Sequence, residues 1–206
     1  APDSNPPERV RNAIARQQYE CEILIGWVQF AVVATFGVLY SLSPKTFNDD
    51  IMFAPVPWAL LIYGSFTLLR LLLAYTDRLP AWILGLSVVL DMSLLMGLIW
   101  SFHLQYDQPP SFFLKAPTLL YVFIFVALRA LRFEALYVVL AGIVAAFGWF
   151  LMVGYVFYFQ GMDPLTRDYV EYMTSSKMLL GAEFDKIISI LLVTLILTVA
   201  IVRARR

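Results

Sequence analysis

The chain has 206 residues, of which 61% are hydrophobic and 15% are charged, and its mean hydropathy is +0.75. A soluble domain has about 45–50% apolar and about 25% charged residues, so this composition excludes a soluble globule. The formal net charge is zero, which provides no overall basic field for nucleic acid. A single cysteine and a single histidine exclude an internal disulfide, a multi-cysteine metal site and a haem held between paired histidines of one chain.

The apolar residues fall into six segments of the kind that cross a bilayer. One spanning helix needs about 20 apolar residues, so the hydrophobic content is enough for about six helices. The sequence therefore predicts an all-α fold, in which a polytopic membrane protein forms a bundle of six transmembrane helices. The predicted segments are 23–42, 56–75, 80–102, 116–128, 135–159 and 187–202.

The fourth of these segments is unusually short. Only 13 residues separate Lys115 from Arg129, which corresponds to about 20 Å of helix. We therefore expect a short or little-tilted helix, with Lys115 reaching back to the interface or with a locally thinned bilayer.

Two further helices are predicted outside the spans. Residues 1–20 are expected to form a cytoplasmic amphipathic helix, and residues 21–206 the six-helix membrane domain. Asp163 followed by Pro164 is typical of a helix start and predicts a surface helix through about Tyr172.

The distribution of Lys and Arg predicts that both termini are cytoplasmic. Ten basic residues flank the two termini and the second–third and fourth–fifth turns, whereas five lie on the opposite side. Short cytoplasmic loops retain Lys and Arg. Membrane lipids are therefore the expected surroundings of a multi-pass chain.

Motifs of soluble enzymes do not occur in the sequence. There is no glycine-rich phosphate loop, no HExxH, no GxSxG and no CxxC. We therefore predict no catalytic residue and no metal site in this chain.

Asp91 is the sharpest functional candidate, because it lies at the midpoint of the third segment, 11 residues from either end. An ionised carboxylate at this depth is costly unless it is paired or wetted. Two interpretations stay open. Asp91 either binds a ligand, a proton or an ion, or it joins helices through a hydrogen bond to Ser65, Thr67, Ser87, Ser93 or Thr194.

A second group of titratable residues is predicted at the outer membrane boundary, around the start of the sixth segment. Its members are Glu183, Asp185 and Lys186, together with His103, Asp107 and Lys115. The group either binds a ligand, a proton or a cation, or is an interfacial ion-pair network that fixes the register of the helix. His103 is also a candidate pH sensor, because the unperturbed pKa of histidine is about 6.5, although a lone interfacial histidine is more often inert.

Arg129 and Arg132 form a predicted basic corner at the inner face. They either bind lipid headgroups or a cytoplasmic partner, or they only reflect the membrane topology.

Four stretches of the chain carry a family resemblance. They are ERVRNAIARQQ (8–18), EILIGWVQ (22–29), the stretch from KAPTLLY to LRALRFE (115–134), and LGAEFDKIIS (180–189). These stretches resemble the six-helix membrane domain of bacterial class III adenylate cyclases of the alphaproteobacterial type.

This resemblance implies a place for the chain in a larger enzyme. In the family, the sixth helix continues into a coupling helix and a cyclase domain that converts ATP to cyclic AMP with two divalent metals (Mg or Mn). The active sites form between two chains, which implies a homodimer in the bacterial inner membrane. None of the catalytic residues falls within this chain. We therefore expect the catalytic domain to follow Arg206, and we expect no cofactor and no cyclase activity in residues 1–206.

The expected function is that of a membrane anchor and receptor, which relays an outer or intramembrane signal through the sixth helix to the cyclase. Similar six-helix modules on quorum-sensing histidine kinases suggest, by analogy, a small lipophilic ligand. The alternatives are a passive dimerising anchor, a small transporter or channel that uses Asp91, and a redox or quinone-binding subunit.

Overall fold

The computed structural model of this chain describes residues 8–42, 55–75 and 81–205. Over these residues the ordered backbone is helical, apart from one isolated bridge between Leu165 and Met178. This confirms the predicted all-α class. The helices are α1 (Glu8–Leu42), α2 (Pro55–Tyr75), α3 (Ala81–Gln105), α4 (Tyr121–Ala130), α5 (Ala135–Gln160), α6 (Tyr169–Thr174) and α7 (Leu180–Ala204), with two short 3-10 helices before α4.

Five of the described helices are long and apolar enough to cross a membrane, namely α1, α2, α3, α5 and α7. The chain is therefore a helical membrane protein. The predicted count of six spanning helices is not confirmed.

The fourth predicted segment differs because its first half is not α-helical. Pro110–Lys115 and Pro117–Leu120 are 3-10 helices that each open with a proline. Proline lacks the N–H that an α-helix needs, so α4 does not extend backwards through Pro117. Its ten residues span about 15 Å, which is half of the roughly 30 Å hydrocarbon core of a bilayer.

The predicted N-terminal helix and the first span form one continuous helix. α1 runs for 35 residues without a break, so residues 8–20 continue directly into the membrane segment. The part suited to a membrane is Tyr19–Leu42. No proline or glycine occurs between Glu8 and Ile25, so helix propagation continues through the expected boundary. Residues 1–7 lie outside the described part of the chain.

The predicted surface helix begins five residues later than expected. Asp168, and not Asp163, caps α6, because its Oδ1 accepts the Val170 N–H at 2.8 Å. The carbonyl of Pro164 instead accepts the N–H of Met178 at 2.7 Å. This contact across the loop occupies a carbonyl that a helix capped by Asp163 would use.

α3 and α5 form the centre of the bundle. Of their membrane segments, 44% and 50% are buried, compared with 17% for both α1 and α7. α5 packs against both α3 and α7, while α1 packs against α2. The fully buried apolar side chains between the central elements include Val88, Met92, Ile99, Phe113, Val122, Val138, Trp149 and Val156.

α5 and α7 approach closely at Gly142. A Cβ atom at this glycine would lie 2.0 Å from Oγ1 and 2.5 Å from Cγ2 of Thr194. No side chain fits in this space, so the glycine sets the distance between the two helices, as small residues do at membrane helix contacts.

The two ends of the bundle carry different polar groups. One end comprises the C-termini of α3 and α5, the 3-10 helices, α6 and the start of α7, and is here called the Glu183 end. The opposite end comprises the turn between α4 and α5, which contacts α1 at Glu22, and is here called the Glu22 end.

We predict that Gly142→Ala destabilises the bundle by about 1–3 kcal/mol, because the added methyl group overlaps Thr194. Gly154→Ala on the same helix is the matched control, because a Cβ there meets nothing within 4 Å. Thermal unfolding of both variants in one detergent measures the difference. Equal losses would contradict the close contact of α5 and α7.

Candidate functional site

A layer of charged side chains lies inside the bundle, toward the Glu22 end. This buried charge network contains three arginines and three carboxylates, so its formal charges balance. The members are Arg70, Arg129, Arg132, Glu22, Asp91 and Glu134.

Asp91 joins three helices. It is 2% exposed, and its Oδ2 accepts hydrogen bonds from Arg129 Nη2 on α4 and, at 2.8 Å, from Gln29 Nε2 on α1. A carboxylate removed from water is costly unless a cation and further hydrogen bonds compensate for the lost hydration. Arg129 and Gln29 supply both.

Arg129 and Arg132 do not form an exposed basic corner. Arg129 is 4% exposed and is paired with Asp91. Arg132 donates Nη1 to Glu22 Oε1 and Nε to Glu134 Oε1 at 2.9 Å. Both guanidinium groups point into the protein, Arg129 from the last turn of α4 and Arg132 from the turn that follows it. These contacts favour a structural role over binding of lipid headgroups.

Arg70 is a second buried cation near Asp91. It is 3% exposed, and its Nη1 lies 3.4 Å from Ser87 Oγ. Its Nη2 has no hydrogen-bond partner among the described residues. Arg70 also lies within electrostatic reach of Arg129, Asp91 and Glu22. Two arginines are therefore available to one aspartate.

An elongated cavity of about 340 Å³ adjoins the network. Asp91 and Tyr63 lie at its inner end and Gln105 at its other end. Asp91 and Gln105 are 14 residues apart on α3, so the cavity follows the helix for about 21 Å. Its walls are mainly apolar side chains of α1 to α4, including Phe36, Leu39, Leu60, Leu94, Leu95, Leu98, Phe102 and Phe125.

Two buried polar atoms at the ends of this cavity lack hydrogen bonds. The Tyr63 hydroxyl lies beside Asp91 without a hydrogen bond of ordinary geometry, and Gln105 Oε1 is likewise unpartnered among the described residues. About 90% or more of buried polar groups in folded proteins have a partner. The pair therefore marks the cavity as a candidate ligand site.

At the Glu183 end, the predicted pair of Glu183 and Lys186 lies inside the protein. Glu183 is 1% exposed and accepts the Trp149 indole N–H at 3.0 Å. Lys186 Nζ contacts both Glu183 oxygens, at 2.9 and 3.0 Å, and the Leu114 carbonyl at 2.6 Å. These contacts tie α7 to α5 and to the 3-10 helix, which favours a role in helix register.

Lys115 does not reach outward to the interface. Its ammonium group donates to the carbonyls of Tyr172 and Ser175 and so fastens α6 to the bundle. Partial burial lowers the pKa of Lys115, the nearby charge of Lys186 lowers it further, and Glu183 opposes the shift.

The other predicted members do not join this cluster. His103 is 6% exposed; it donates Nδ1–H to the Trp100 carbonyl and packs against Phe113, with ring centroids 5.5 Å apart. Its burial does not favour a sensor of external pH. Asp107 and Asp185 are exposed, and no described hydrogen bond or ion pair links either of them to Glu183.

Sequence reasoning missed Gln29, Tyr63 and Arg70 as parts of a site. One signal was available: Arg70 is a cation within an otherwise apolar helix, one hairpin away from Asp91. Nothing local marks Gln29 or Tyr63, because one amide and one phenol among apolar residues are common in spanning helices.

Comparison with known proteins leaves the family open. No protein-family model matches the chain, and neither a curated protein nor a solved structure matches it.

We predict that Asp91→Ala and Arg129→Ala each lower the free energy of unfolding by about 3–5 kcal/mol, because each leaves a buried charge unpaired. The double variant should lose less than the sum of the two. Reversible unfolding by SDS in mixed micelles gives the three values. Arg16→Ala is the control, since its pair with Glu20 is exposed and contributes about 0–1 kcal/mol; strictly additive losses would contradict the pairing.

We also predict that Glu183→Gln destabilises the chain by about 1–3 kcal/mol, because Lys186 loses its counter-ion in a buried setting. Asp185→Asn, two residues along the same helix, is exposed and should have no effect. Melting temperatures of the two variants separate these outcomes, and equal temperatures would argue against the buried pair.

Proposed function

We propose that this chain is the membrane anchor and signal-receiving domain of a bacterial adenylate cyclase. In this proposal, an outer or intramembrane signal passes through α7 to a cytoplasmic cyclase dimer that makes cyclic AMP. The resemblance of the four segments supports the formation of cyclic AMP by an attached cyclase. The contacts of α7 support its role in receiving and passing on the signal.

The observation that carries the proposal is the continuity of α7. One unbroken helix leads from the ion-paired Glu183 to Arg203, a distance of about 30 Å, which matches the hydrocarbon core of a bilayer. The helix is tied to α5 at Glu183 and again where Thr194 meets Gly142. A rigid helix held in this way transmits a rotation or a shift along its whole length.

In this proposal, a second pairing within the buried charge network accompanies such a shift. Asp91 is paired with Arg129, while Arg70 lies nearby with one unpartnered nitrogen. If Asp91 exchanged its partner Arg129 for Arg70, α4 would lose its ion pair with α3. α4 packs directly against α7, so such a change would reach α7. A ligand shifts this equilibrium only by binding one arrangement more tightly than the other.

The proposal places both termini in the cytoplasm and the domain in the bacterial inner membrane, as the distribution of basic residues favours. It assigns ATP and the divalent metal (Mg or Mn) to the cyclase domain and not to this chain. It also pairs two copies of the chain, since the family's active sites lie between subunits.

The second candidate is a passive dimerising anchor. It is favoured by one observation, namely that the contacts of Glu183, Lys186 and Lys115 are satisfied within the protein. A transporter or channel that uses Asp91 is less favoured, because that carboxylate already has a cationic partner.

The first test is to read the coding frame beyond Arg206, where we expect a coupling helix and a cyclase domain. In that full-length protein, one alanine inserted after Val202 should change basal cyclic AMP formation several-fold, because it rotates everything that follows by about 100°. A seven-residue helical insertion, about two turns, should largely restore the output. Cyclic AMP formed by isolated membranes is the measurement.

Two results would contradict this proposal. A coding frame without a cyclase domain would remove the output, and equal activity of both insertion variants and the parent would show that α7 does not relay. Replacement of the bundle by an unrelated dimeric anchor tests the second candidate. If regulation survives that replacement, the domain is a passive anchor.

A further inference from the structure

We propose that the cavity between α1, α2, α3 and α4 binds an uncharged long-chain aliphatic alcohol, with its hydroxyl beside Asp91 and Tyr63 and its chain directed toward Gln105. This inference deepens the proposed function, and it rests on that function for its consequence. The binding itself is a property of the described residues alone.

The shape of the cavity selects a single chain. Its volume of about 340 Å³ is near the lower limit of ligand pockets, which span about 300–1,000 Å³. The lining residues of α3 run from Asp91 to Gln105, which corresponds to about 21 Å of helix. A flexible alkyl chain matches this length. The leucines and phenylalanines of the wall match the chain in polarity.

The polar groups at the inner end of the cavity suit a ligand with one hydroxyl group. Tyr63 brings a hydroxyl group beside Asp91 without a hydrogen bond of ordinary geometry among the described residues, and Asp91 brings a carboxylate at the cavity wall. A hydroxyl group both donates and accepts, so one alcohol can donate to Asp91 and accept from Tyr63. A plain hydrocarbon would leave the tyrosine hydroxyl buried and unpaired, which is unfavourable.

The charges at this end of the cavity disfavour an ionised ligand. Asp91 is the only charged side chain in the described lining of the cavity, and it is already paired with Arg129. A fatty acid anion or an alkylammonium ion would add an uncompensated charge in an apolar site, and the desolvation cost of such a charge is large. The ligand is therefore neutral.

The orientation distinguishes this ligand from a bilayer lipid. A phospholipid that enters tail first would place a methyl group against Tyr63, and it would gain nothing from the tyrosine hydroxyl. An alcohol with its hydroxyl at the inner end gains a hydrogen bond there. Binding that depends on the Tyr63 hydroxyl therefore identifies the alcohol.

The experiment uses the purified chain of residues 1–206 in phosphatidylcholine nanodiscs and measures saturable binding of tritiated dodecanol. Dodecane and dodecanoate are tested as unlabelled competitors. We expect one saturable site, with dodecanol competing better than either analogue. Tyr63→Phe should weaken dodecanol binding by about threefold to tenfold and leave competition by dodecane unchanged, because the substitution removes only a neutral hydrogen bond.

A second pair of variants tests the location. Ala59→Phe places a ring in the cavity and should abolish saturable binding. Leu61→Phe, on the exposed side of the same helix, is the matched control and should bind normally. Circular dichroism and size-exclusion profiles check folding; if Ala59→Phe does not fold, Tyr63→Phe decides alone, because it preserves the shape of the side chain.

Three results would overturn the proposal. These are equal dodecanol affinity in Tyr63→Phe and the parent, tighter binding of dodecanoate or dodecane than of dodecanol, and no saturable binding. None of these results involves cyclic AMP, so they would not contradict the proposal that the chain receives a signal for a cyclase. Conversely, equal activity of the α7 insertion variants would not contradict the proposed alcohol site.

Discussion

The pairing of Asp91 with Arg129 is the interaction on which the described bundle depends. A charge buried in an apolar helix bundle is tolerated only with a partner of opposite sign, and here that partner comes from α4. α4 has only ten α-helical residues, about half the length of a spanning helix. The ion pair fixes its position relative to α3, and Gln29 extends the same contact to α1.

Buried charges are compensated differently at the two ends of the bundle. At the Glu183 end, one carboxylate, one ammonium and one indole satisfy each other and fasten α7 to α5. At the Glu22 end, the charges balance in number, but Arg70 and Glu22 each retain an unpartnered atom among the described residues. The first arrangement favours a fixed contact. The second leaves room for an exchange of partners, which is the property required of a switch.

The cavity lies between these two regions and touches the less satisfied one. Its inner end shares Asp91 with the charge network, so a ligand that hydrogen-bonds this carboxylate acts directly on the pair that positions α4. Because α4 packs against α7, the proposed path from ligand to output needs only contacts that are already present. The proposed receptor role and the proposed ligand class are thus linked through a single side chain, Asp91.

The sequence by itself determined the helical membrane class, the approximate bounds of α2, α3 and α5, and Asp91 as the principal candidate. These features depend on apolar segment length and on local signals such as proline, which a linear pattern contains. Only the tertiary structure decided that Arg129 pairs with Asp91, that the α-helical part of the fourth segment has only ten residues, and that Tyr63 faces a cavity. Asp91 and Arg129 are 38 residues apart, and whether such groups meet depends on how helices pack, which no local pattern specifies.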